Sequence, residues 1–470
     1  MKKTYSILLC LLLTFFQTQY IFSHTDESSD LEWTTSRGAG ETIVYGLLGS
    51  GEVVFSNLLV MTYNYLYGMP WAFPTHESVR RNFTMPWIWE DTDGFKVNNI
   101  GHPIQGLVYY NAGRVNGFNY YESVFFSALG SFTWEAFSET QQASINDFFI
   151  TCVGSLSLGE MFYRLYLEAC ERGVPPFFAM FINPTAGVHR MITRWKPPDY
   201  GKNLEQFYFH IGPSYVQTNS SISPGNRERF SFRGPVGDMG FAAIYGNPFE
   251  QESRIPFRHF ELKMSFGVDP GNYMNIRLIS DGYLLSFSPV YTEKNFLSTG
   301  LSIHYDFVSQ GEYSLYDGTI DQSSFALDWT MKYKHLFSDD AAFETKFHTG
   351  YTYLGVSNFY APGIRSSKDE LKNYGTGINS KLYINLIHRK LGRIETSVFY
   401  YMLWSYPKTS VLTQGTVLWL FTDAAYILPL TEHVSMGIGD SFSLEYGKYK
   451  GFHDTYKTNN VVKLFVAWNI

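Results

Sequence analysis

His102, Arg114, Glu122, Glu135, Glu139, Asp147 and Glu160 are spread through one apolar stretch, Asn98 to Glu160, with small residues between them. Ionisable groups in such surroundings are costly unless they are paired or used. A histidine with carboxylates suits a general base and its orienting group, which makes His102, Glu135 and Asp147 the catalytic candidates. The same set could hold a small-molecule ligand. No His-Glu-x-x-His pair is present, so no zinc site of the usual kind and no other cofactor is expected. A nucleophile would come from Ser123, Ser127 or Ser131, none of which lies in a Gly-x-Ser-x-Gly elbow. The competing reading is structural: His102, Arg114, Glu122, Trp134, Glu135, Glu139, Asp147 and Glu160 form a polar cluster whose members pair across helices and hold them in register.

Three helical pieces must position these residues. Asn99 to Arg114 carries Pro103 in its first turn, where a missing N–H costs nothing. Asn119 to Glu139 sets Ser123, Ser127, Ser131 and Glu135 four apart, a small-residue stripe that lets backbones approach closely. Ser144 is a good N-cap for the third piece, with Asp147 in its first turn and a bend expected near Gly159. Upstream, Thr42–Tyr67 is a long apolar helix whose only charge is Glu52. It approaches membrane-spanning length, but the interruptions at Asn57 and Asn64 favour a buried or membrane-adjacent helix. Cys152 and Cys170, about 27 Å apart on a continuous helix, cannot pair and read as buried thiols.

The ordered series Asn98-Asn99, Gly101-His102-Pro103, Gly106, Tyr110, Arg114, Gly117, Glu122-Ser123, Ser131, Trp134-Glu135, Glu139, Ser144, Asp147, Thr151, Gly154 and Gly159-Glu160 resembles the bacterial family known as domain of unknown function 3943. The resemblance covers residues 87–166. Thr151-Cys152 departs from the family's Thr-Pro pair. The family implies an envelope location and brings no activity.

After the prolines of GVPPFF and KPPDYG the pattern changes near residue 200. Candidate strands begin near Gln206, Gly237, His259, Tyr273, Tyr283, Leu297, Ser323, Ala342, Ile378, Arg393, Thr416, His433 and Asn460. Phe260, Leu262, Met264 and Phe266 alternate with Glu261, Lys263 and Ser265. Phe325, Leu327, Trp329, Met331 and Tyr333 alternate with Ala326, Asp328, Thr330 and Lys332. Such strands can cross a bilayer when tilted, and an even count closes a barrel. The chain ends on one more apolar face, Val462, Leu464, Val466, Trp468 and Ile470, although outer-membrane barrels typically end in an aromatic. Asp328, Lys332, Glu344 and Lys346 are expected to line a wet lumen. Asn219-Ser220-Ser221 fits a glycosylation acceptor but reads as a loop.

The N-terminus has Lys2 and Lys3 before an apolar run from Ile7 to Phe16, the layout of a secretory signal peptide ending near Ser23. Cys10 lies inside that run, which disfavours a lipoprotein. Losing the leader moves the formal charge from −7 to −9, and an acidic chain argues against a nucleic-acid partner. Aromatic content of 18 %, with 35 Tyr and 40 Phe, suits a secreted β-rich chain with interfacial girdles.

The expected architecture is therefore α+β: signal peptide 1–23, polar linker 24–41, helical domain 42–200, and an antiparallel transmembrane β-barrel of about twelve strands over 201–470. The expected location is the outer membrane, with membrane lipid and the barrel assembly machinery as partners. The expected role is non-enzymatic, in envelope organisation or small-solute passage, with the helices as a plug or a periplasmic domain. The alternative is a membrane-embedded enzyme acting on lipid or envelope polymer through His102 with Glu135 or Asp147.

Overall fold

The structure is a computed structural model that describes residues 38–89, 93–198, 200–222, 226–250, 252–269, 273–312, 320–359, 371–406, 415–450 and 454–469. The expected signal peptide, most of the polar linker and Ile470 lie outside them. Helices occupy residues 39–193 and are followed by a closed antiparallel barrel of twelve strands, an α+β fold.

The barrel strands are β1 Leu204–Ile222, β2 Asn226–Tyr245, β3 Phe260–Val268, β4 Tyr273–Tyr291, β5 Asn295–Glu312, β6 Ile320–Ser338, β7 Ala341–Phe359, β8 Leu371–His388, β9 Gly392–Ser405, β10 Gly415–Pro429, β11 Val434–Tyr449 and β12 Thr455–Asn469. Each pairs with its sequence neighbours, and β1 closes the ring on β12. Short turns such as Ser338 to Ala341 gather at one end, where β1 also begins. The β2–β3 connection, residues 246–259, is the long exception at that end, and the β5–β6, β7–β8 and β9–β10 connections lie at the other. Two expected strand starts, Tyr273 and Tyr283, prove to be one strand. A register shift between Tyr283 and Leu285 restarts the alternation there, which mimics a new strand. Gly237, Ile378 and Asn460 lie within strands that begin earlier. Asn219 sits in β1 and not in a loop.

Alternation sorts the side chains as expected. Leu327, Trp329 and Met331 of β6 and Val462, Leu464 and Trp468 of β12 point outward and are exposed. Asp328 and Thr330 point inward and are buried. The lumen is largely filled by its own side chains. Lys346 bridges Glu261 at 2.7 Å and Asp281 at 2.8 Å, and Lys332 also reaches Glu261 at 3.2 Å. Arg277 of β4 forks onto Asp423 of β10 across the barrel, at 2.5 and 2.7 Å. Lys381 pairs with Asp306, and Lys457 with Glu445 at 3.1 Å. Tyr383, Phe399, Tyr401, Trp419 and Phe421 pack between these pairs. A cavity of about 160 Å³ is left beside Arg277, Lys263, His210 and Asp423.

The helices are α1 Ala39–Leu66, α2 His76–Thr84, α3 His102–Val115, α4 Tyr120–Phe137, α5 Ile145–Gly154, α6 Glu160–Glu171, α7 Pro176–Ala179 and α8 Pro184–Thr193. Wide π turns at Val97–Gly101 and Ser155–Gly159 lead into α3 and α6. The second is the bend expected near Gly159. Sequence reading missed α2, α7 and α8, which are short and carry little periodicity. The small-residue contacts are close: a Cβ on Gly106 would lie 2.1 Å from the Thr151 carbonyl oxygen, and one on Gly154 would lie 2.5 Å from Pro103. Only glycine lets α3 and α5 meet at that distance.

The helical domain packs against the outside of the barrel. Leu262, Leu278, Ile303, Tyr305, Phe307, Phe325, Leu354 and Tyr374 share one buried cluster with Phe95, Tyr110, Ile150 and Leu158. Their sequence neighbours Glu261, Arg277, His304 and Asp306 face the lumen, so these residues face outward. The expectation of a plug is thus corrected. The lumen is already occupied by paired side chains, whereas the apolar outer wall of β2 to β8 offers the area that helix packing needs. The contacts run from Tyr245 and Phe260 near the short turns to Tyr374 near the long connections, so the domain does not hang below one end either.

Candidate functional site at the seam between helices and barrel

Two polar clusters account for most of the chemistry-bearing residues. In the first, Glu160 sits between two arginines. Its Oε2 meets Arg114 Nε at 2.9 Å and accepts from the Tyr110 hydroxyl at 2.8 Å. Its Oε1 accepts from Arg164 Nε at 2.9 Å and from Arg114 Nη2 at 3.2 Å. All three charges are at most 4 % exposed. Arg114 also donates to the Phe118 carbonyl, lies over the Tyr163 ring, and so ties α3 to α6. Arg164 donates to the Pro256 carbonyl in the β2–β3 connection and joins the helices to the barrel. This is a structural clamp with every charge engaged.

The second cluster lies against the outer wall near the long-connection end of β8. His102 opens α3 and Asp147 lies in the first turn of α5. His102 Nε2 is 3.8 Å from Asp147 Oδ1 and 3.8 Å from Asp93 Oδ2, too far for a direct hydrogen bond. Asn146 donates to Asp147 at 3.2 Å and to the Tyr374 hydroxyl at 3.0 Å. Lys372 donates to the Asp93 carbonyl, and the Tyr305 hydroxyl to the Asn99 carbonyl. Both amide atoms of Asn98, Oδ1 of Asn99 and Asn146, Nε2 of His102, Oδ2 of Asp147 and Nε1 of Trp89 are buried with no hydrogen-bond partner among the described residues. Buried polar atoms are nearly always satisfied in folded proteins, so this concentration is unusual.

The remaining expected residues have local tasks. Glu122 completes a capping box with Asn119 at the start of α4. Trp134 is buried edge-on to Trp71. Glu135 accepts from the Ser144 N–H at 2.7 Å, and Asn82 donates to its carbonyl, which fixes the α4–α5 link. Glu139 is buried close by. The candidate serines pack against backbone: Ser127 donates to the Gly106 carbonyl at 3.3 Å and Ser123 to the Phe118 carbonyl at 3.4 Å. Sequence reasoning missed Asp93, Asn146, Trp89 and Tyr374. Only Asn146 and Trp89 had a signal, as a polar residue beside Asp147 and as part of the Trp87–Trp89 pair. Tyr374 is 228 residues from its partner.

The arrangement is that of a helix-flanked twelve-stranded barrel with a largely filled lumen and a buried polar seam on its outer wall. Residues 86–185 match the family described as Domain of unknown function (DUF3943), the one that the motif series resembles. No curated protein matches the chain. Solved structures that match include the Pseudomonas putida toluene transporter TodX, at 8 % identity, TM-score 0.23, over 56 % of this chain and 89 % of that one. A Pseudomonas aeruginosa FadL homologue matches at 8 % and 0.24, over 56 % and 90 %. An outer membrane channel from Pseudomonas putida F1 matches at 10 % and 0.31, over 58 % and 99 %. Scores this low carry no argument about function.

Proposed function

We propose that this is an outer-membrane protein that works at the outer wall of its barrel, where it holds the polar part of an envelope amphiphile at the His102–Asp147 seam. Closed barrels with an outward apolar face are one of two forms that can cross a bilayer with every backbone group satisfied. The observation that carries the reading is the set of buried polar atoms around His102, Asn98, Asn146 and Asp147 that have no hydrogen-bond partner among the described residues. Ionisable residues at membrane depth are functional candidates by default. The paired side chains that fill most of the lumen argue against free passage of large solutes. The small cavity beside Arg277 and Lys263 favours, as a second reading, entry of a small solute from the short-turn side. A hydrolytic role would need a nucleophile: Ser123 and Ser127 are engaged with backbone carbonyls, which leaves the buried Ser131 as its candidate.

The test is native mass spectrometry of protein extracted from membranes, parent against His102→Ala and Asp147→Asn. The parent should carry a bound amphiphile and both folded variants should lose it. An empty parent, or variants as loaded as the parent, would overturn the reading. Planar-bilayer recordings separate the second reading: steady ion conductance by the parent would return the function to the lumen.

A further inference from the structure

Helix α1 presents a long apolar face that no other part of the described protein covers. Ile43, Leu47, Phe55, Leu58, Leu59 and Tyr63 are exposed, Leu47 by 69 %. The opposite face, through Gly49, Val53 and Asn57, lies on α3 and α4. The serine and threonine hydroxyls, Glu52 and Asn57 are answered from within the protein. The hydroxyls of Thr42, Ser50, Ser56 and Thr62 each donate to a carbonyl three or four residues back. Glu52 turns inward to His189 at 2.6 Å and to Asn116 at 3.1 Å. Asn57 turns inward to the Gly130 carbonyl and Thr133. Serine and threonine can back-bond in this way in any helix, and in hydrocarbon the helix's own carbonyls are the partners left to them.

The dimensions agree. Twenty-eight residues make a helix of about 42 Å, against a hydrocarbon core of about 30 Å. Tyr63, Tyr65, Tyr67 and Trp71 gather at its C-terminal end, the composition of a membrane interface. The helix also runs the height of the barrel wall. Near its start Gly46 lies against Phe118, and Tyr120 stacks on Phe257 at the short-turn end. Past its end the Trp71 carbonyl accepts from Thr140, and Asn146 in the next helix reaches Tyr374 at the long-connection end.

The outward apolar surface of the barrel is interrupted where the helical domain covers β2 to β8, and α1 supplies an apolar surface of matching height outside that cover. We propose that the bilayer continues around α1, so that its exposed face contacts lipid acyl chains and the helical domain lies within the membrane beside the barrel. This rests on reading the barrel as membrane-spanning.

Nitroxide labels test it, placed singly at Leu47→Cys, Leu59→Cys and, on the barrel, Leu464→Cys. The background is the full chain in lipid vesicles with Cys10, Cys152 and Cys170 replaced by Ser. Collision with dissolved oxygen reports hydrocarbon, and collision with a nickel chelate reports water. The expected result is an oxygen-to-nickel ratio at Leu47 and Leu59 like that at Leu464. Nickel access at the α1 sites with oxygen access at Leu464 would overturn the proposal while leaving the membrane barrel standing. Immobile α1 labels reached by neither reagent would overturn it in favour of a second protein copy on that face. Nickel access at Leu464 would remove the membrane reading and the proposal together. All three sites are exposed, and a heat-dependent gel shift of the barrel verifies folding of each variant.

Discussion

Glu160→Gln should loosen the helical domain far more than its small chemical change suggests. The carboxylate is the shared partner of Arg114 and Arg164, and all three are essentially buried. The amide keeps the shape and some hydrogen bonding but leaves two buried guanidiniums facing one another. Breaking a buried ion pair from one side costs about 3–5 kcal/mol. If the domain opens locally before protease cleaves it, that loss raises the cleavage rate in proportion to the opened population, by about a hundredfold to a few thousandfold. The assay is timed proteolysis of the protein in vesicles, following fragments cut within residues 39–193. Arg164→Met makes the informative comparison. It removes the excess positive charge and leaves Arg114 and Glu160 as a balanced pair, although it also gives up the Pro256 contact. It should therefore cost less than Glu160→Gln. Glu41→Gln, on the exposed start of α1, should change nothing. Equal rates for Glu160→Gln and parent, or a larger effect from Arg164→Met, would refute the clamp.

Two further outcomes follow from close contacts. Gly106→Val should prevent assembly of the helical domain, because its Cβ would meet the Thr151 backbone, whereas Gly101→Ala meets nothing nearer than 3.8 Å and should be tolerated; yield and proteolytic resistance check both. Tyr305→Phe removes the donor to the Asn99 carbonyl, a cost of about 1–3 kcal/mol that should raise cleavage by about fivefold to a hundredfold.

Much of the fold is legible in the sequence because strand alternation has a physical cause visible residue by residue. Leu327, Trp329 and Met331 against Asp328, Thr330 and Lys332 assigns both faces of β6 without a structure. Helix capping at Asn119 and Ser144 is legible for the same reason: partner and cap are three residues apart. The Gly106–Ser127 contact face is also local in pattern, since small residues at helical spacing need a reason. The filled lumen is not legible. A polar face reads the same whether water or an opposite charge answers it, and Arg277 finds Asp423 across 146 residues.

The position of the helical domain was hidden by a similar degeneracy. Outward residues at the docking stripe, such as Leu278, Ile303 and Phe307, are apolar for protein as they would be for lipid. The exceptions are what distinguish the two. Ser280 points outward on β4, next to Leu278 in the outward row, and its hydroxyl is 3.2 Å from that of Ser157. Gly282 follows it, where a Cβ would meet Phe257 at 2.2 Å. Lys372 and Tyr374 on β8 likewise point outward and are bonded to the helical domain. A lysine on a face that otherwise suits hydrocarbon is costly in lipid and natural against a partner, and the serine and the glycine make room for the helical domain that meets them. Breaks in the outward alternation of a barrel thus mark where protein replaces lipid. The same reasoning, applied to α1, marks where lipid replaces protein: between Ile43 and Leu59 its outward face carries no charged side chain, and the hydroxyls of Ser50 and Ser56 bond carbonyls of their own helix.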